Sequence, residues 1–320
     1  MGFLDDAPHL RQGRRGQPIR DGSTVNAAPG FPLTDEAVAF AATIDDLLSK
    51  HAGSSELRDA WDAPQVRVPG LWKRLEEVGF FELAAAGRSS LPTLVPAVVI
   101  TGRRCLPEPI IGTLAANLLG HPTVEVVAAA LGDGQLVVDA ALAGLVLTAE
   151  GLGEVARVEA VDSIDPAARL GRLESSGDLD VAALLAAAQL QGLAEGLLSQ
   201  ASEYAKIREQ FGKPIGAFQA VKHQLADVYI EVGFSRPLLD EAARALAVGE
   251  VNAGVKVSHA KVAASSAAQL AARAALQVHG GIGYTYEHDL HMWTKKVWTL
   301  SRAWGDVRWH RSRIVRDVVG

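Results

Sequence analysis

The chain has 320 residues, 48% hydrophobic and 21% charged, which excludes general disorder and allows two domains at about 150 residues each, or one large one. A net charge of −6 and a pI near 5.9 remove any global pull toward nucleic acid or an anionic membrane. The single cysteine, Cys105, excludes an intrachain disulfide and both four-thiolate and two-Cys/two-His zinc sites, and a reducing, cytoplasmic setting is the expectation.

In chain order, residues 1–32 read as a flexible polar lead-in without an apolar run of signal-peptide length. No apolar stretch approaches about 18 residues, so no membrane-spanning helix is expected. Residues 33–121 read as a helical N-terminal domain. Thr34 caps a first helix with Ala37, Val38, Ala41 and Ile44 on one stripe. A second helix follows Pro69, with Leu71, Trp72, Leu75 and Val78 at helical spacing and Gly79 as its stop. The apolar run from Leu91 to Leu119, broken by Gly and Pro, reads as two helices.

Residues 122–177 change character. Val124–Val127, Gln135–Ala140, Gly144–Thr148 and Val155–Val161 are short and Val-rich, and read as strands of a small sheet. Residues 178–320 are helical again. A helix capped by Asp178 or Asp180 runs to about Ile207, and Pro214 interrupts. The next carries Phe218, Val221, Leu225, Val228 and Val232. An alanine-dense helix spans about Ala253–Val278, and a fourth begins near Glu287. The expected fold class is mainly α with a small β domain, ending in an antiparallel four-helix bundle.

Two segments are richer than packing requires. The first runs from Arg208 through Gln210, Phe211, Gly212 and Pro214 to Gln219, followed by Lys222, His223 and Asp227. The second is Gln277-Val-His-Gly-Gly-Ile-Gly-Tyr284, followed by Glu287. Each is a turn between helices, since Gly permits positive φ and Pro ends a helix. A cation, two amides and a glycine turn can cradle a nucleotide pyrophosphate. They are equally two helix-terminating loops, with Arg208 paired to an acid such as Glu209 or Glu231. No strand precedes the glycine turn, so it is not the dinucleotide-binding fingerprint.

At these residues the chain resembles the acyl-CoA dehydrogenase family. Arg-x-Gln-Phe-Gly-x-Pro-Ile with Ala226-Asp227 after ten further residues, and Gln-x-x-Gly-Gly-x-Gly-Tyr-x-x-Glu, are similar to its two signatures, in order and at the right separation. Leu71-Trp72 with Leu75, Val78 and Gly79, and Pro107-Glu108-Pro109, resemble its N-terminal domain. The resemblance is strong over 181–320, moderate over 33–120 and poor over 122–175. It implies a helical domain, a β domain and a four-helix bundle, with FAD at a subunit interface. It also implies cofactor-binding roles for Arg208, Gln210, Phe211, Gln219, Gln277, Gly280 and Gly281.

The departures carry as much as the matches. The family removes a proton α to the thioester with a Glu while hydride leaves the β carbon. Ungapped counting puts that Glu at Trp304, and the alternative position used by some members near Ala182. Neither side chain accepts a proton. The family's flavin-ring loop and strand motifs are missing between 121 and 180. The resemblance is therefore to the short, β-type subunit of heteromeric α2β2 steroid-catabolic acyl-CoA dehydrogenases of actinobacteria. That implies a full-length homologue supplying the base and ring contacts, a steroid-derived acyl-CoA substrate and an electron-transferring flavoprotein. Trp304 is expected to fill the vacated site.

Two other readings stand: a self-sufficient homotetramer with a displaced base such as Asp306, and a non-catalytic structural or regulatory subunit. Among the remaining residues, Glu287 reads as structural and His223 as a helix-face residue. His279 and His288 lack metal-ligand spacing, so no metal is expected. Cys105 reads as an ordinary buried thiol despite Arg103 and Arg104. Lys295-Lys296 and the Arg308–Arg316 cluster read first as a solvated helix face and second as contacts to CoA phosphates. No pocket residue specifies the acyl group.

Overall fold

The computed structural model describes residues 33–63, 67–129, 135–148, 151–155, 157–173 and 180–320. The expected lead-in and the Asp178 cap lie outside the described residues.

Six helices come first: α1 (Asp35–His51), α2 (Ser54–Asp62), α3 (Leu71–Glu77), α4 (Phe80–Ala85), α5 (Leu91–Arg103) and α6 (Ile110–Leu118). Thr34 caps α1 as expected, its hydroxyl accepting from the Ala37 N–H at 3.2 Å. Gly79, at φ +77, separates α3 from α4. The run 91–119 does divide into two helices, α5 and α6.

Short strands follow: β1 (Val127–Ala129), β2 (Gln135–Val137), β3 (Leu145–Thr148), β4 (Gly151–Glu154), β5 (Glu159–Ala160) and β6 (Gly171–Leu173). They form two three-stranded sheets, in the orders β1-β3-β4 and β2-β6-β5. β1 runs parallel to β3 with Val127 opposite Leu145, and the other pairings are antiparallel. β1 starts later than the expected Val124 because the preceding backbone is spent elsewhere. Asn117 holds the Thr123 backbone at both its N–H and C=O, and the Trp72 indole N–H donates to the Val124 carbonyl at 2.8 Å. The strand expected at Val155–Val161 is shorter among the described residues: β4 ends before it, Glu159–Ala160 forms β5, and Val155 and Val161 each donate one backbone hydrogen bond, to the Gly144 and Leu170 carbonyls.

The third part holds α7 (Asp180–Ile207), a hairpin of β7 (Glu209–Gln210) and β8 (Lys213–Pro214), α8 (Gln219–Val248), α9 (Ala253–His279), α10 (Leu290–Leu300) and α11 (Val307–Val319). α7 packs chiefly against α9 and α5. Alanines 182–183, 186–188 and 194 of α7, and 260, 264, 267–268, 271–272 and 274–275 of α9, are buried, so the axes approach closely. Gly102 of α5 and Gly192 of α7 complete the approach. A Cβ on Gly192 would stand 1.9 Å from the Val99 carbonyl, and one on Gly102 2.1 Å from that of Gln189. One core cluster runs from Ile44 to Trp304 and takes in residues of α1 to α10.

Two expectations need correction. The last bundle helix starts at Leu290 rather than near Glu287, and it breaks at Trp304-Gly305 into α10 and α11. Trp304 and Gly305 both take positive φ, +52 and +91, which no continuous helix accommodates. α7 also has the length and apolarity to cross a membrane, which the sequence reading denied any stretch. In the fold 94% of its most apolar window is buried against protein.

Candidate functional site

The two signature segments meet at one end of the bundle. In the last turn of α7 the Tyr204 carbonyl accepts from the Arg208 N–H at 2.9 Å. α9 ends in His279, immediately before the glycine turn. The rings of Tyr204 and His279 stack at 4.3 Å with an interplanar angle of 22°. His288 packs edge-on to His279 at 4.6 Å. Burial lowers the His279 pKa, and its Nδ1 lies 2.8 Å from the Ala275 carbonyl. This histidine therefore joins the two loops as an aromatic strut. Among the described residues no His, Cys, Asp or Glu cluster has metal-binding geometry.

The expected turn at 211–214 is a β-hairpin. Gln210 pairs with Lys213 and Glu209 with Pro214 across the two-residue loop Phe211-Gly212. Both loop residues have positive φ, +53 and +75, the conformation favoured by two-residue hairpins. For a phenylalanine that conformation is strained by about 1–2 kcal/mol. Phe211 is nonetheless 92% exposed, its nearest ring being Phe218 at 6.2 Å. Lys213 lies over the Phe218 ring at 4.4 Å.

Arg208, Gln210, Gln219, Gln277 and Gly281 are exposed and Gly280 is half-buried. Gln219 opens α8, so its side chain stands at the positive end of a long helix dipole. The Gln210 amide is partly occupied, donating to the Glu209 carbonyl at 2.8 Å. Neither Glu209 nor Glu231 pairs with Arg208, whose only hydrogen bonds among the described residues are through its backbone. Gly280 takes φ +61, and a Cβ on Gly280 or Gly281 would meet nothing within 4 Å. The rim thus offers an unspent guanidinium, two side-chain amides, a strained exposed phenyl and open backbone. That set suits a diphosphate bridging a nucleoside, which needs charge, N–H donors and close backbone approach.

The two positions at which the resemblance leads to the expectation of a base, Ala182 and Trp304, hold buried side chains that cannot accept a proton. Ala182 is buried in the first turn of α7. Trp304 is 7% exposed, and its indole N–H donates to the Ala129 carbonyl of β1 at 2.7 Å. The turn around it is clamped by residues the sequence reading passed over. Lys261, fully buried in α9, donates from Nζ to the carbonyls of Leu300 at 3.0 Å and Gly305 at 3.1 Å. Burial pushes its pKa down to about 7. His310 places Nε2 at 3.0 Å from the Trp304 carbonyl and Nδ1 at 3.0 Å from Ser258 Oγ. Burial, and then Lys261, lower its pKa to about 4, so the ring is neutral at pH 7. A lysine in an alanine-rich helix was the available signal for this clamp.

Of the two nearest acids, one is spent on structure. Asp306 caps α11, Oδ1 accepting from the Trp309 N–H at 2.7 Å. The Glu287 carbonyl accepts from Arg58 at 2.8 Å while its side chain is exposed. Lys295 and Lys296 are not the solvated face that was expected. Lys295 lies over the rings of Trp61 and Tyr286, at 4.9 and 4.7 Å, and Lys296 donates to the Leu106 carbonyl. Cys105 is buried as expected, and burial pushes its thiol up to about 12, far from a reactive thiolate. His223 is exposed on α8.

Comparison with known proteins gives a relative that spans nearly the whole chain. IpdE2, an acyl-CoA dehydrogenase of Mycobacterium tuberculosis, is 34% identical over 289 residues, covering 80% of this chain and 88% of the relative. The chain belongs to the acyl-CoA dehydrogenase family. The family description "Acyl-CoA dehydrogenase, C-terminal domain" matches residues 173–319 of this family member. IpdE2 of Mycolicibacterium smegmatis is 27% identical over 316 residues, covering 89% of this chain and all of the relative. Among solved structures, a chain of the ChsE4-ChsE5 complex from Mycobacterium tuberculosis superposes with a TM-score of 0.76 at 22% identity, covering 91% of this chain and 99% of that one. A chain of the Tcur3481-Tcur3483 steroid ACAD gives 0.77 at 24% identity, covering 89% and 98%. These neighbours carry the same mainly helical fold with small sheets.

Proposed function

We propose that this acyl-CoA dehydrogenase works as the short subunit of an α2β2 complex that introduces a double bond between the α and β carbons of a steroid-derived acyl-CoA. The observation that carries the proposal is a contrast within one chain. The nucleotide-end donors are exposed and unspent, while the position expected for the base holds the buried, hydrogen-bonded Trp304. The structural neighbours titled as a two-component complex and as a steroid ACAD support the assembly and the substrate class.

The cofactor is FAD, which when bound takes up the hydride leaving the β carbon. In this reading Arg208 neutralises the diphosphate, and Gln219 and Gln277 fix it by hydrogen bonds. Gly280 and Gly281 let the backbone approach it. Phe211 packs on the nucleoside end, which repays its positive φ. Gln210 holds the hairpin. The full-length homologue contributes the carboxylate that takes the α proton and the groups around the flavin ring, and an electron-transferring flavoprotein takes the electrons onward. In this reading the chain works in the cytoplasm. Asp306 does not substitute for the base because its carboxylate is engaged as a helix cap.

The test is the visible spectrum of the chain purified alone and after co-expression with a full-length homologue. Flavin absorbance with acyl-CoA-dependent bleaching appears only in the co-expressed sample, and Arg208→Ala lowers the flavin content of that complex at least tenfold. A yellow, active lone chain would overturn the shared site. A complex that keeps its flavin in Arg208→Ala would place this subunit in a structural role.

A further inference from the structure

The glycine turn is held at its ends rather than along its length. Tyr284, Thr285, Tyr286 and Glu287, which lead from it toward α10, are all exposed, so burial does not fix them. Their position is set from the N-terminal domain, by α2. Arg58 donates from Nη2 to the Glu287 carbonyl at 2.8 Å and from Nε to Asp289 Oδ1. Ser54, one turn earlier on α2, donates to Asp289 Oδ2. An independent observation comes from Asp289 itself. It stands at the N-cap of α10, where an Asp ordinarily turns its carboxylate to its own helix. Here both oxygens go to α2 and none caps α10. His288 Nδ1 accepts from the Leu290 N–H at 3.1 Å in its place. His288 in turn packs on His279, and His279 on Tyr204. A continuous line of contact therefore runs from Arg58, through the loop, to the end of α7 where the Arg208 hairpin begins.

We propose that Arg58 is a positioning residue for the flavin site, fixing from α2 the far end of the loop whose Gly280 and Gly281 backbone approaches the diphosphate. The inference rests on the flavin reading above. A Cβ on either glycine would meet nothing within 4 Å, so their backbone is aimed only by what holds the two ends of the loop. His279 holds the first end and Arg58 the second. N–H donors held in place before the ligand arrives bind it more tightly, because the cost of ordering them is already met. A guanidinium suits this task. Its planar fork meets a carbonyl and a carboxylate together in fixed directions, which a lysine ammonium does not. The coupling is reciprocal: bound flavin holds the loop, and the loop then holds α2 more firmly. A helix of the N-terminal domain thus governs how well the bundle end retains its cofactor.

The test uses the complex co-expressed with a full-length homologue and has two readouts: the flavin dissociation constant after reconstitution, and amide hydrogen exchange over residues 281–289. Arg58→Ala is expected to weaken flavin binding about tenfold, an ordinary size for coupling between sites. It also speeds exchange in the loop while α7 and α9 stay unchanged. Arg58→Lys, which keeps the charge opposite Asp289, falls between the alanine variant and the wild type. Asp289→Ala weakens flavin as Arg58→Ala does, and the double variant costs no more than either alone, because both act through one contact. In the wild type, flavin slows exchange in α2. Arg208→Ala is the reference. Flavin lost in Arg208→Ala but held within about twofold in Arg58→Ala would overturn the positioning role and leave the flavin reading intact. Flavin held in both variants would overturn the flavin reading and this inference with it. Faster exchange spread through α7 and α9, in the lysine variant as in the alanine one, would make Arg58 a general stabiliser and overturn the positioning role as well.

Discussion

Trp304 is held in a backbone conformation that a bulky L-residue adopts only when its surroundings compel it. The compulsion comes from three directions: the Ala129 carbonyl on the indole N–H, Lys261 on the flanking carbonyls, and His310 on Trp304's own carbonyl. Gly305 has no room for a side chain, since a Cβ would stand 2.8 Å from His310 Nε2. The turn is thus part of the core that joins bundle to sheet. Trp304→Ala should destabilise the chain by about 3–5 kcal/mol through lost burial and a cavity. Trp304→Phe, which keeps most of the packing and loses the indole donor, should cost about 1–3 kcal/mol because the Ala129 carbonyl is left unsatisfied. Urea unfolding of both variants checks the ordering, and equal losses would mean the hydrogen bond contributes nothing.

Between elements, the controlling contact is the crossing of α5 and α7, where Gly102 and Gly192 face opposing backbone. Gly192→Ala should cost at least about 3 kcal/mol, above the helix-propensity gain of about 1 kcal/mol that alanine brings; urea unfolding reads the sign. A stabilised variant would show that the crossing relaxes freely. At this scale the sequence was informative where periodicity and punctuation acted alone. α1, α5, α6, α7 and α9 follow from apolar spacing, Thr34 and the interrupting Gly and Pro. The start of β1 was not legible, because Asn117 and Trp72, distant along the chain, claim the backbone that local pattern assigns to a strand. The break at Trp304-Gly305 was hidden for the same reason: Lys261 and His310 enforce it from α9 and α11. The signature residues at the bundle end were legible as motifs. Their meeting was not, since it rests on the Tyr204–His279 stack between helices far apart in sequence.

Across the whole molecule, the three parts of the chain converge on a buried polar junction. Glu108 accepts from the Val68 N–H at 2.8 Å, Arg169 donates to the Pro107 carbonyl at 2.6 Å, and Lys296 reaches the Leu106 carbonyl from α10. Asp139 lies 3.8 Å from Arg169. Asp165, 2% exposed, has one carboxylate oxygen without a hydrogen-bond partner among the described residues. Burial outweighs Lys296 and raises its pKa from 3.8 to about 6, and Asp139 is raised to about 7 for the same leading reason. The sign follows from proton counting. Between about pH 4 and 6 the folded chain holds a proton on Asp165 that the unfolded chain has released, so stability falls as pH rises through that window. Two pKa units correspond to about 3 kcal/mol. Asp165→Asn cannot ionise, so its stability should lack this share of the decline. The stability of the wild type relative to that variant should therefore drop by about 2–3 kcal/mol between pH 4 and pH 7. Chemical unfolding at the two pH values measures the difference directly. A difference that stays constant would mean that Lys296 and Arg169 compensate the charge fully, making the junction a permanent ionic lock between the sheets and the helices rather than one that loosens as it deprotonates.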